Sequence, residues 1–252
     1  MSFGKKYMTR LIKRSELVSS NIVDQTPLVH RYSKDALDDV AEEFLQKYCP
    51  EALKKPMAVP IMEIATKKMG LKVYTEYRLT EDFSVFGQMC FTSGLAEIYD
   101  KDEDEYREIK VRRGTMFIDP DTYLKRNSGC FNNTVAHESF HWYKHRNYHL
   151  YGKAVGSNNA IVFRCPTEEK NESFYEEWDD TDWMEWQANN AAPRILMPKC
   201  TFVNAADDII EQGHLMYGNS LEEWWVILKL AELYDVSKQS AEIRMKELGI
   251  SI

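Results

Sequence analysis

The chain has 252 residues, 44% of them hydrophobic, which is ample for a sizeable core in one large domain or one domain with a small appendage. Its 40 acidic against 32 basic residues leave a net charge of −8, a balance that repels phosphate backbones and argues against nucleic acid as a direct partner. No stretch reaches the ~20 apolar residues of a membrane helix, no apolar run follows the basic N-terminal residues as a secretory signal requires, and five scattered cysteines without a CxxC pair point to reduced thiols in a cytoplasm.

Residues 1–33 lack an amphipathic period and read as an N-terminal arm. From Ser33, a capping residue, Ala36, Leu37, Val40, Ala41, Phe44, Leu45 and Tyr48 recur at helical spacing, and Cys49-Pro50 stops the run. A second helix opens at Val59-Pro60-Ile61 and closes at Gly70. Alternation from Leu71 to Tyr77 predicts a strand, and 85–91 with 95–99 predict a hairpin about Thr92-Ser93-Gly94. The charge run 101–110 reads as an exposed loop, and 115–118 as a short strand ended by Asp119-Pro120-Asp121. A helix is expected from Asn132 or Asn133 to about Tyr148, another from Thr181 to Leu196, and helices at 221–233 and 238–248 about a turn at 235–237. Helices and strands that neither alternate strictly nor segregate favour an α+β fold.

The expected helix over 132–148 contains the HExxH pattern His137-Glu138-Ser139-Phe140-His141. Residues four apart share a helix face, so two imidazoles converge on one ion. Glu138 projects beside that ion, placed to take a proton from water the ion activates. His145 and His149 continue the four-residue spacing. Helical rise carries them about 6 and 12 Å along the axis, so both are expected to be structural or surface groups. A third protein ligand leaves the fourth position of a zinc ion open. Glu185 is the candidate: Ala188 and Ala192 share its helix face and permit close packing on the histidine helix. Asn189, one turn beyond Glu185, is placed to hydrogen-bond a ligand histidine from behind. Two histidines and a glutamate are a typical zinc set, one ion per chain.

Thr134-Val135-Ala136 before HESFH, then Glu185-Trp186-Gln187-Ala188-Asn189 and a closing Ile195-Leu196-Met197-Pro198, resemble the ImmA/IrrE family of metallopeptidases over most of residues 34–250. The resemblance implies a zincin-like peptidase domain with a small β-sheet at 34–200, followed by a helical C-terminal segment at 201–252. It implies a zinc endopeptidase with His137, His141 and Glu185 as ligands and Glu138 as general base. It also implies a protein substrate, a helix-turn-helix repressor of a mobile element or stress response. The chain departs from the family pattern in bulky Trp142 and Tyr143, in Pro193 interrupting the second helix motif, and in the long spacing from His141 to Glu185.

An oxyanion donor is open among Tyr143, Tyr148, Tyr151 and Tyr175. Seven acids interleaved with aromatics at 172–185 read as a solvated lead into a helix or as a cleft rim that selects basic substrates. Residues 230–249 have the flavour of a helix-turn-helix, but mixed charge makes them a packing or docking element rather than a DNA reader. Trp224 and Trp225 read as core anchors and His214 as a loop residue. The competing function is a metal-binding regulatory module that binds a repressor or DNA without cutting it.

Overall fold

Ser33 stops the extended chain by accepting a hydrogen bond from the Ala36 N–H at 3.2 Å, and helix α1 (Lys34–Tyr48) follows. In the computed structural model, which describes residues 29–151, 160–166 and 178–252, this helix buries Leu37, Val40, Ala41, Phe44, Leu45 and Tyr48, the face its spacing predicts. Helix α2 (Ile61–Glu63) runs on as a π-helical turn (Ile64–Lys68), and Gly70, at φ 71°, directs the chain into β1 (Lys72–Tyr74). Of the expected N-terminal arm, residues 1–28 lie outside the described residues.

Strands β2 (Val85–Cys90), β5 (Thr115–Ile118) and β6 (Val162–Pro166) join β1 in a four-stranded sheet of order β1-β5-β2-β6. β1 is parallel to β5, and β2 is antiparallel to both β5 and β6. The expected hairpin of 85–91 with 95–99 does not form, because both edges of β2 are already occupied by β5 and β6. β3 (Gly94–Asp100) instead pairs with β4 (Glu105–Val111) in a separate two-stranded ribbon. The charge run read as a loop is therefore mostly strand. Its side chains face water on both sides, so no apolar alternation marks it. Arg107 reaches Asp100 across the ribbon at 2.9 Å.

The histidine helix α3 (Ser128–Phe140) starts earlier than expected, capped by Asn127 Oδ1 accepting from the Cys130 N–H at 2.8 Å. It continues as a π-helical turn (His141–His145) into α4 (Arg146–Tyr151). Helix α5 (Asp180–Leu196) opens on a capping box between Asp179 and Asp182 and runs through Pro193 without ending there. The long helix α6 (Lys199–Tyr217) opens the expected helical C-terminal segment and carries His214 within it rather than in a loop. Helices α7 (Glu223–Tyr234) and α8 (Lys238–Glu247) complete the α+β chain. Trp224 is no core anchor: it stands 58% exposed, while Trp225 is half-buried. Among the described residues no helix is long and apolar enough to cross a membrane.

Helix α3 packs on β2, β5 and β6 with one side and on α5 with another, while α1 covers α5. The α7–α8 corner seats on the first turn of α3. Asp235, in a left-handed conformation, accepts from Ser128 Oγ at 2.7 Å and from Asn132 Nδ2 at 2.9 and 3.0 Å. Buried Arg244 of α8 donates to Met197 O at 3.2 Å and pairs with Asp38 of α1, which Arg194 of α5 also approaches at 3.6 Å. Residues Arg31–Ile252 thus form one compact unit.

Candidate metal centre

His137 and His141 face the same side of α3 and its continuation, both essentially sealed, with their Nε2 atoms 2.8 Å apart. Glu185 comes from α5: its Oε2 lies 3.3 Å from His137 Nε2, and its Oε1 lies 3.6 Å from His141 Nε2. Ligand atoms ~2.1 Å from a tetrahedral ion sit about 3.3 Å from one another, so the three donors span a triangle of the size zinc requires. The two helices come close enough because Ala188, Ala191 and Ala192 on α5 and Val135 and Ala136 on α3 are small or slim and fully buried. Glu185 keeps 18% of its side chain exposed, but both of its carboxylate oxygens are buried.

Burial holds the His141 imidazole neutral, its pKa lowered to about 4, with the neighbouring His137 adding to the effect. Burial opposes ionisation of Glu185, but hydrogen bonds and charge from both histidines outweigh it and bring its pKa down to about 2. The trio therefore offers two imidazoles and one carboxylate, the donor set a divalent cation takes.

Glu138 is wholly buried, and among the described residues neither carboxylate oxygen has a hydrogen-bond partner. Burial first, and the charge of Glu185 second, push its pKa well above the usual carboxylate range. Its wall is the β2–β6 pair. A Cβ at Gly87 would lie 2.7 Å from Glu138 Oε1, and a donor of Glu138, a ring nitrogen of His137 and the Cys165 thiol lie within 4.8 Å of one another. Gly87 and Cys165 are cross-strand partners. The sequence reading passed over both, although a lone glycine inside a strand pattern signals a close approach.

His145 and His149, expected as structural or surface groups, are not surface groups. Both are buried, and the chain widens into a π turn over His141–His145 instead of keeping α pitch. His145 Nδ1 lies 2.9 Å from His141 Nδ1, and its Nε2 lies 3.1 Å from Oε1 of buried Gln187. His149 stacks on Phe91 at 4.2 Å. Asn189 lines a separate cleft with Asn133, Asn190 and Arg194, and among the described residues it makes no hydrogen bond to His137 or His141; Gln187, two residues earlier, reaches the ligand pair through His145.

Of the tyrosines, Tyr143 packs on Phe44 and Tyr48 of α1, and Tyr148 lies edge-on to His149 at 5.1 Å. Tyr175, the side chain of Tyr151 and residues 172–177 of the acidic segment lie outside the described residues. His214, exposed near the end of α6, has its Nδ1 3.1 Å from Gly218 O, remote in sequence and chemistry from the trio. No protein-family model matches the chain, and no curated protein matches it significantly.

Proposed function

We propose that the chain is a zinc-dependent endopeptidase in which His137, His141 and Glu185 hold one ion and Glu138 is the general base. The observation that carries this reading is the convergence of two imidazoles and a carboxylate from separate helices on one point, with a buried carboxylate, Glu138, beside them. Bound there, zinc would supply a Lewis acid that acidifies water and polarises a peptide carbonyl. Glu138 takes the proton of the attacking water. It then delivers that proton to the leaving amine nitrogen, so one carboxyl serves both halves of the hydrolysis. Burial and the charge of Glu185 raise its basicity, the direction a general base needs. Gly87 and Cys165 bound the seat of Glu138.

A zincin-like domain and a regulatory protein as substrate, specifically a helix-turn-helix repressor, follow from the resemblance of the two helix motifs to ImmA/IrrE peptidases. Five scattered cysteines without a CxxC pair favour a reducing compartment such as the cytoplasm. The test is zinc content by mass spectrometry, wild type beside Glu185→Ala and Glu138→Gln. About one zinc in wild type and in Glu138→Gln, with loss in Glu185→Ala, is expected. No zinc in wild type after reloading overturns the reading. If zinc binds but Glu138→Gln lowers the level of a co-expressed repressor as wild type does, the site binds without cutting, and the regulatory-module reading replaces the protease.

A further inference from the structure

Behind the trio, three buried side chains stand in a row from α3 to α5. His141 Nδ1 is 2.9 Å from His145 Nδ1, and His145 Nε2 is 3.1 Å from Gln187 Oε1. A ligand imidazole gives one nitrogen's lone pair to the cation and keeps its proton on the other, and an uncharged imidazole behind it carries one N–H and one lone pair. An amide oxygen only accepts. His145 must therefore carry its proton on Nε2, which leaves its Nδ1 as an acceptor. The atom facing that acceptor, His141 Nδ1, must then be the donor. Its proton lies on Nδ1, and the Nε2 lone pair is directed at His137 and Glu185. The opposite order of protons would leave His141 with Nε2–H, unable to ligate a cation.

We infer that Gln187 and His145 are positioning residues that lock His141 in the tautomer a metal needs, through two consecutive hydrogen bonds. This rests on the reading of the trio as a metal site. The π turn over His141–His145 is the backbone feature that accompanies the lock, since it sets the spacing of the two rings within one widened turn. The lock adds no charge next to Glu185: a glutamine oxygen and a neutral imidazole fill the role a carboxylate often takes behind a ligand histidine.

Zinc affinity measured by chelator competition tests it on wild type, His145→Phe, Gln187→Leu and Gln187→Glu. The first two variants remove the relay while filling its volume and are expected to weaken zinc roughly 10–100-fold. Gln187→Glu keeps an acceptor in place and is expected to hold zinc as tightly as wild type or better. Circular dichroism of the zinc-free proteins controls for folding, and long-range ¹H–¹⁵N NMR reads the tautomers directly. His145 is expected as Nε2–H in wild type and to lose that preference in Gln187→Leu. Equal zinc affinity in wild type and both relay variants overturns the lock and leaves the metal site standing. Wild type without zinc overturns both. His145 as the Nδ1–H tautomer, or a second zinc held between the two Nδ1 atoms, also overturns the lock.

Discussion

Gly129, in the first turn of α3, offers a test in which local propensity and tertiary contact predict opposite signs. A Cβ there would lie 2.2 Å from Ser237 N, 2.4 Å from Val236 C and 2.8 Å from Val236 Cα. All three are backbone atoms of the α7–α8 corner, so no side chain can swing aside. Reaching ordinary contact requires the corner to retreat by about 1 Å, which also stretches the hydrogen bonds from Ser128 and Asn132 to Asp235. Overpacking of this kind costs about 3 kcal/mol at the upper end of its usual range. Alanine in place of glycine gains about 1 kcal/mol in helix propensity. The net expectation for Gly129→Ala is a loss of about 2 kcal/mol, or a Tm lower by about 4–8 °C in a domain of this size. Urea and thermal unfolding followed by circular dichroism measure it. A rise in stability near the propensity gain would refute the reasoning and show that the corner does not bear on α3.

Gly87→Ala places a methyl 2.7 Å from Glu138 Oε1 and 2.8 Å from Thr134 Cγ2. Zinc content is expected to stay near wild type while peptide-library cleavage, read by mass spectrometry, falls roughly 10²-fold; full cleavage with zinc retained would show that the seat of Glu138 is unimportant. Cobalt substitution distinguishes the two donor sets that share His137. The His137, His141 and Glu185 set predicts no thiolate-to-cobalt charge-transfer band, whereas recruitment of Cys165 predicts one that Cys165→Ala removes. Asp38→Ala leaves Arg244, 1% exposed, without its closest anionic partner and weakens the hold on Arg194. A stability loss of about 3 kcal/mol in denaturant titration is expected, and a change within 0.5 kcal/mol would refute the importance of the pair ( for the cost, for the threshold).

The parts of the site legible in the sequence are those set by α-helical pitch. His137 and His141 share a face because they are four apart, and Glu185 could be chosen because Ala188 and Ala192 follow it at helical spacing. The same assumption of pitch set His145 about 6 Å along the axis, a structural or surface group, and gave it no role behind His141; the π turn that accompanies their contact leaves no mark in composition. Gln187 was missed for a related reason. Its role depends on which residue of a different helix lies opposite, and no periodicity within α5 encodes that. In the sheet, alternation marked β1 and short apolar runs marked β2 and β5, but neither showed which strands pair. Pairing depends on which strand edges are free, and β6, more than forty residues after β5, took the edge that a local hairpin would have used.

The α7–α8 corner shows how a motif can be legible in form and misleading in use. Its turn has the helix-turn-helix spacing, but the features that make the turn tight also make it a good seat for α3. Asp235 caps α7 in a left-handed conformation and uses its side chain to receive Ser128 and Asn132, and the backbone at Val236 and Ser237 lies against a residue with no Cβ. The second helix gives its most buried cation, Arg244, to Met197 O and Asp38. Met197 ends α5, the helix that carries Glu185 and Gln187, and Gly129 begins α3, the helix that carries His137 and His141. One corner therefore grips the far ends of both helices that build the candidate metal centre. Substitutions at this corner are expected to loosen zinc, read by chelator competition, as well as to lower stability.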